Sequence, residues 1–164
     1  MKVQMREMKE NDWGAVSSIY QQGMDSNKAT FETKCPEYNT FHSSHTESCR
    51  LVATQGEQVI GWAALSPVSS RCVYGGVAEV SVYVHEEYQG KGVGSRLLNE
   101  IVKLSELDGY WTIQAGIMQD NESSIRLHEK CGFRMVGYRE KIGQDRYGNW
   151  RNTVLMERRS KQNQ

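Results

Sequence analysis

Polar and apolar residues alternate in short stretches along much of this chain, and each stretch predicts a strand. Val3 and Met5 alternate with polar neighbours at the start. Arg50 to Thr54 and Val59 to Leu65 follow as two strands, with Gln55-Gly56-Glu57 between them as a hairpin turn. Val77 to Val84 carries the clearest strand pattern, with Val77, Val80, Val82 and Val84. Trp111 to Ile117, Phe133 to Tyr138 and Asn152 to Met156 complete the set.

Other stretches repeat every three to four residues and predict helices. Asn11 or Asp12 caps a helix that presents Trp13, Val16, Ile19 and Tyr20 on one face, and residues 23–34 read as a loop. Pro36 suits the first turn of a second helix carrying Tyr38, Phe41 and His45. Leu97, Leu98, Ile101, Val102 and Leu104 mark a third helix, and Asn121 to Cys131 a fourth, which Gly132 closes. The order β, α, α, β, β, β, α, β, α, β, β predicts an α/β (α+β) fold: one mixed sheet of about six to seven strands flanked by about four helices. With 164 residues the chain reads as a single domain over 1–164, frayed from about residue 158 onward.

Charge narrows the possible partners. Lys plus Arg and Asp plus Glu each number 20, so net charge is zero. A nucleic-acid partner is not expected, nor attraction to an acidic membrane surface. No apolar run is long enough to span a bilayer and the first residues hold no signal core, so a cytoplasmic location is expected. Cys35, Cys49, Cys72 and Cys131 lie far apart, which favours free thiols over a zinc site or disulfide framework. His42 and His45 are three apart on a helix without a further ligand signature, and no metal is expected.

The informative chemistry follows the clearest strand. Gln89-Gly90-Lys91-Gly92-Val93-Gly94 leads into a helix. Glycines expose main-chain N–H groups, and the helix start adds its own unpaired ones, so a phosphate or pyrophosphate suits this place. The segment lacks the GxxxxGK[ST] of a P-loop. Its GxGxG spacing, with Gln114 on the next strand, also departs from a dinucleotide-binding GxGxxG.

Gln-x-x-Gly-x-Gly after a strand resembles the pyrophosphate loop of the GNAT superfamily of N-acetyltransferases. The segment Asn121-Glu-Ser-Ser-Ile-Arg-Leu-His-Glu-Lys-Cys-Gly-Phe133 is similar to the second signature of that superfamily. Ala29-Thr-Phe-Glu32, Ala78-Glu-Val-Ser-Val-Tyr-Val84 and Gly148-Asn-Trp-Arg-Asn152 are similar to its phosphinothricin and amino-acid N-acetyltransferase group. Two stretches depart from that group: Arg151-Asn152, where an acidic residue often follows the Trp, and the connector Ser69 to Gly76.

The resemblance implies acetyl-CoA as co-substrate, no metal, a small amine as acceptor and a homodimer. It implies that Val82, Tyr83 and Val84 offer main-chain groups to the pantetheine arm, in a gap where their strand splays from its neighbour. Gln89, Gly90, Lys91, Gly92, Val93, Gly94 and Ser95 would wrap the pyrophosphate, and Asn121 and Ser124 would meet the arm from a helix start. Asn121 also fits a plain N-cap, and Lys91 and Arg96 could equally be solvated cations.

Direct transfer from a thioester to an amine needs a base for the ammonium, a donor for the developing oxyanion and a proton for the departing thiolate. The resemblance makes Glu79 the candidate base, acting directly or through a water; alternation alone would also allow a surface-facing strand carboxylate. A strand N–H near Val82 would meet the oxyanion. His128 stands where many superfamily members place a tyrosine that protonates the thiolate, or else is structural. Phe31, Glu32, Arg71, Tyr74 and Trp150 are candidates for the acceptor pocket, Arg71 for a carboxylate. The expected activity is acetylation of an amino acid or an analogue such as phosphinothricin, methionine sulfoximine or methionine sulfone. A protein N-terminal or lysine acetyltransferase and a non-catalytic acyl-CoA sensor are the alternatives.

Overall fold

The computed structural model describes residues 2–163. Its elements follow the expected order: β1 (Gln4–Glu7), α1 (Trp13–Asp25), α2 (Tyr38–Ser44), β2 (Arg50–Gln55), β3 (Gln58–Pro67), β4 (Val77–Val84), α3 (Val93–Leu107), β5 (Thr112–Met118), α4 (Glu122–Lys130), β6 (Arg134–Gln144) and β7 (Trp150–Arg159). The seven strands form one sheet in the order β1-β2-β3-β4-β5-β7-β6. Every neighbouring pair is antiparallel except β4 and β5.

Two apolar layers hold the sheet. On one face α3 lays Leu97, Leu98, Ile101 and Val102 against Leu51, Ala63, Val80 and Ile113, all buried. Each such aliphatic side chain contributes about 1.5–3 kcal/mol on burial, which holds the start of α3 at the end of β4. On the other face α1 and α2 bring Val16, Ile19 and Phe41 onto Val52, Trp62 and Ala64. Tyr83 stacks on Trp62 there, with ring centroids 5.0 Å apart. Along β4, therefore, Val80 and Val82 face the α3 layer while Tyr83 faces the α1 layer.

Several boundaries differ from expectation. Asp12 occupies the N-cap of α1, but its carboxylate accepts from the Arg6 guanidinium and the Lys9 N–H, each at 2.8 Å, instead of capping the helix. α1 runs on to Asp25, and α2 starts at Tyr38, two residues after Pro36. β6 and β7 are each longer than their patterns implied. The expected frayed end is pinned instead. β7 continues through Arg159, Ser160 is buried, and the Asn163 side chain donates to the Glu106 and Tyr110 carbonyls at 2.8 and 2.9 Å. Gln164 and Met1 lie outside the described residues. The four cysteines are free thiols, Cys49 and Cys131 buried and Cys72 exposed. No helix among the described residues is long and apolar enough to cross a membrane.

Candidate active site

β4 and β5 are paired only over Val77–Thr112, Ala78–Ile113 and Glu79–Gln114. Beyond Glu79 they part, yet β4 stays paired to β3 as far as Val84 and β5 to β7 as far as Met118. Each strand therefore turns one bare edge into the gap. The His85 N–H bonds the Ile60 carbonyl of β3 at 2.8 Å. Because main-chain groups alternate sides along a strand, those of Tyr83 and Ser81 also point to β3, and those of Val80, Val82 and Val84 point into the gap. Of the three residues expected to offer main-chain groups, Val82 and Val84 turn theirs into the gap, while those of Tyr83 point to β3 and its side chain lines the cavity.

Past the end of β4 the chain makes a short 3-10 turn over Glu86–Tyr88, and the Gln89 amide donates back to the Val84 carbonyl at 3.3 Å. Gly90 and Gly92 adopt left-handed backbone angles, with φ of +76° and +84°. Gly92 is the N-cap of α3, and no side chain caps that end. The first main-chain bond of the helix runs from the Arg96 N–H to the Gly92 carbonyl, so the N–H groups of Val93, Gly94 and Ser95 stand ahead of it without helical partners. This is a main-chain cradle for an anion at the mouth of the gap. Arg96 is turned elsewhere, donating to the Val3 carbonyl at 2.8 Å. Lys91 lies over the Tyr88 ring, 5.5 Å from its centroid, within the turn itself.

A cavity of about 550 Å³ occupies the gap and is lined by residues from both faces of the sheet. Glu79, Tyr83, Phe31 and Glu32 line it on the α1 side, and Val82, Asn121, Ser124 and His128 are also in its wall. Glu79 is half-buried and accepts from the Gln114 amide at 3.3 Å. Tyr20 donates to Glu32 at 3.0 Å, and burial raises the pKa of both Tyr20 and Tyr83 well above the ordinary phenol value, so both stay protonated.

α4 is capped by Asn121, whose side-chain oxygen accepts from the Ser124 N–H at 3.3 Å and whose amide donates to the Lys28 carbonyl at 3.2 Å. The N-cap role is thus filled, and the same side chain ties the loop after α1 to the cavity wall. His128 is buried. Its Nδ1 lies 2.7 Å from the Ser124 carbonyl, an acceptor only, so Nδ1 carries a proton. Burial lowers its pKa against the opposing effect of that bond. The neutral ring therefore keeps its lone pair on Nε2.

Three expected acceptor-pocket residues are not brought to this cavity. Arg71 lies over the Tyr74 ring on the exposed connector before β4. Trp150, 58% exposed, opens β7 opposite Gln144, at the far end of the last hairpin. Tyr20, His45, Ser66 and Arg139 do line the cavity and were not foreseen as site residues. Their types are ordinary and their sequence separations large, so no local pattern marks them. Among the described residues no group of three or more His, Cys, Asp or Glu could hold a metal ion.

A family model described as acetyltransferase (GNAT) family matches residues 13–133. A phosphinothricin N-acetyltransferase of Streptomyces coelicolor is 32% identical over 96% of this chain and 96% of its own length. An L-methionine sulfoximine/L-methionine sulfone acetyltransferase of Salmonella typhimurium is 33% identical over 65% of this chain and 62% of its own length. Among solved structures, a phosphinothricin acetyltransferase of Sinorhizobium meliloti in complex with acetyl-CoA superposes with a TM-score of 0.87 at 28% identity, covering 97% of this chain and 89% of that one.

Proposed function

The chain belongs to the acetyltransferase (GNAT) family, and on that premise we propose that it moves the acetyl group of acetyl-CoA directly onto the α-amino group of a small amino acid or analogue, of the phosphinothricin, methionine sulfoximine or methionine sulfone type. The observation that carries this reading is the parting of β4 from β5 beyond Glu79. It leaves unpaired main-chain groups along a gap that has a carboxylate where the strands part and an anion cradle beyond the end of β4.

Acetyl-CoA, when bound, supplies an activated acyl carbon. Val82 and Val84 would hold its extended arm through the free edge of β4, joined by Asn121 and Ser124 from α4. Gln89 to Ser95, Lys91 included, would hold the pyrophosphate chiefly through main-chain N–H groups. The Val82 N–H faces the gap and is the candidate donor to the developing oxyanion.

An α-ammonium group has no lone pair and must lose a proton before attack. Glu79 is the proposed acceptor of that proton, directly or through a water. His128 in the tautomer described cannot donate from Nε2. Its role is then a relay: Nε2 takes the proton released as the nitrogen bonds to carbon, and returns it to the departing sulfur. Phe31 and Glu32 close the acceptor side, with Tyr20 holding the Glu32 carboxylate in place. A homodimer is part of the proposal. β6 is a long edge strand with Met135, Val136, Tyr138 and Ile142 exposed, a surface that pairing with a second copy would cover. Sedimentation at micromolar concentration tests it, and a purely monomeric boundary refutes it.

The decisive experiment is an acceptor panel, with released thiol as the readout. Turnover is expected on phosphinothricin, methionine sulfoximine or methionine sulfone and not on peptides. Turnover confined to peptide N-termini or lysines, or acetyl-CoA binding with no turnover on any amine, overturns the reading.

A further inference from the structure

The sequence placed His45 on the second helix with Tyr38 and Phe41 and three residues from His42, and nothing above gives it a task. Its setting is more constrained than that of a surface histidine. The ring stacks on buried Phe41, with centroids 4.0 Å apart and an interplanar angle of 20°. Nδ1 lies 2.9 Å from the Phe41 carbonyl, which can only accept, so the proton of the neutral ring sits on Nδ1. Nε2 is left with its lone pair. Among the described residues no hydrogen bond reaches it, and it is not sealed from solvent. The residue lines the 550 Å³ cavity.

The backbone at this point is also held. Arg50 is buried and, among the described residues, meets no carboxylate; its guanidinium instead donates to the carbonyls of Thr46 (2.7 Å), His42 (3.0 Å) and His45 (3.1 Å), the otherwise orphaned end of α2, and lies 2.9 Å from Nδ1 of the His42 ring. A buried charge is costly unless its hydrogen bonds are met, and here they are met by the turn that presents His45.

The fold carries that turn to Glu79. The Thr46 N–H bonds the Leu65 carbonyl at 2.9 Å. The next residue, Ser66, is the cross-strand partner of Glu79 and also lines the cavity. Cross-strand partners share a face with Cβ atoms about 4.5–5.5 Å apart. His45 is thus one residue from a bond anchored beside the Glu79 partner, on the α1–α2 face.

We propose that Nε2 of His45 accepts a hydrogen bond from the ammonium group of the acceptor and holds that nitrogen beside Glu79. This rests on the amino-acid reading above and deepens it. A lone-pair acceptor paired with a carboxylate selects a protonated primary amine, and a ring that stays neutral keeps that lone pair available. Burial lowers the pKa of His45 and the charge of Arg50 on β2 adds to this, while the Phe41 carbonyl and Glu32 on the loop oppose it. Glu79 is the nearby charge on β4. Tyr20 and Tyr83 remain neutral.

The test uses the full chain, acetyl-CoA and L-methionine sulfone as probe, with H45A and H45Q beside the wild type. H45A is expected to raise KM for the amine about ten- to hundredfold, the size of a lost hydrogen bond to a charged group, with KM for acetyl-CoA unchanged. Gln can place an oxygen near the position of Nε2 without titrating, so H45Q should stay within about threefold of wild type near pH 8. It should also lose the rise in amine KM that wild type shows as pH falls through the His45 pKa. An unchanged amine KM in H45A overturns the proposal, as does an acid-side rise in H45Q equal to that of wild type. A shift in acetyl-CoA KM of the same size as the amine effect overturns it too, because a collapsed α2 turn would then explain both. A wild type that acetylates no free amino acid, while still stabilised by acetyl-CoA, sinks the amino-acid reading and this inference together; an active wild type with an unaltered H45Q profile sinks this inference alone.

Discussion

Replacing Gly92 with Ala separates backbone conformation from side-chain crowding at the start of α3. A Cβ built on Gly92 meets nothing within 4 Å, so no clash opposes the substitution. The cost lies in φ of +84°, a left-handed angle that charges an L-residue about 1–2 kcal/mol. That strain is felt by the free protein if the turn keeps its shape. If the free turn relaxes instead, its N–H groups no longer converge, and acetyl-CoA must restore the shape on binding. The apparent Kd then rises about five- to thirtyfold. Either way the doubly stabilised state, folded and saturated, carries the same penalty. At a few degrees per kcal/mol for a chain of this size, the Tm of G92A at saturating acetyl-CoA is expected about 2–8 °C below that of wild type. The internal control is Gly94→Ala. Its Cβ would sit 3.4 Å from Leu127 Cδ2 and 3.7 Å from Val84 Cγ2, ordinary contacts, and it keeps the N–H. G94A should match or exceed the wild-type Tm and keep the acetyl-CoA shift. Differential scanning fluorimetry with and without acetyl-CoA measures both. A saturated G92A within about 1 °C of wild type would refute the claim that the cradle depends on a left-handed residue.

The other predictions are shorter. Glu79→Gln should lower turnover about 10²–10⁴-fold while leaving the acetyl-CoA thermal shift intact, and unchanged turnover removes Glu79 as the base. Asp145 is buried at the tip of the last hairpin. Burial works to raise its pKa, but donors from Asn27, the Asn149 and Tyr147 N–H groups and Arg151 outweigh it and hold it at about 2. Since this lies below the unfolded value near about 3.9, its stabilisation is present above that pH and is lost as pH falls toward 2. Urea midpoints should therefore drop between about pH 4 and 2 more steeply for wild type than for Asp145→Asn, and parallel curves would contradict the assignment. Leu98→Ala, in the fully buried face of α3, should cost about 2–5 kcal/mol by urea unfolding; a smaller loss would mean that α3 is not what seats the cradle.

Much of the fold was legible because its signals are local. The alternation of β4, the run of apolar residues on α3 and the glycine turn between them sit within thirty-one residues, Val77–Leu107, and the order of all eleven elements follows from such cues. Boundaries went astray where burial leaves no pattern. β6 is exposed along most of its length, so no alternation marks its continuation to Gln144, and pairing with β7 alone extends it. α1 runs through Gly23, which interrupts the helical signal. That glycine answers a tertiary need, since a Cβ there would stand 2.5 Å from the Tyr83 ring. The anchoring of Asn163 is likewise a long-range effect, made by α3 and the turn before β5 accepting from its side chain.

The site divides along the same line. The half proposed for the coenzyme is chiefly a contiguous strand, turn and helix, so its pattern is local, with Asn121 and Ser124 added from α4. The half proposed for the acceptor is assembled from α1, the loop after it, α2, the end of β3 and β6, whose mutual placement no spacing reports. The departure at Arg151 shows how such a half stays coherent. Where the related group often carries an acid, this guanidinium bonds Asp120 at 2.7 Å, Asp145 at 3.2 Å and the Asn27 carbonyl at 2.8 Å. Asp120 precedes the Asn121 cap, Asn27 begins the segment that carries Phe31 and Glu32 over the cavity, and Asp145 closes the hairpin beside it. Arg146 adds a bond to the Met24 carbonyl at 3.2 Å and one to Asp25 at 3.1 Å, at the end of α1. Three segments from distant parts of the chain are thus clamped around one side of the gap by a cation whose partners are two carboxylates and a carbonyl.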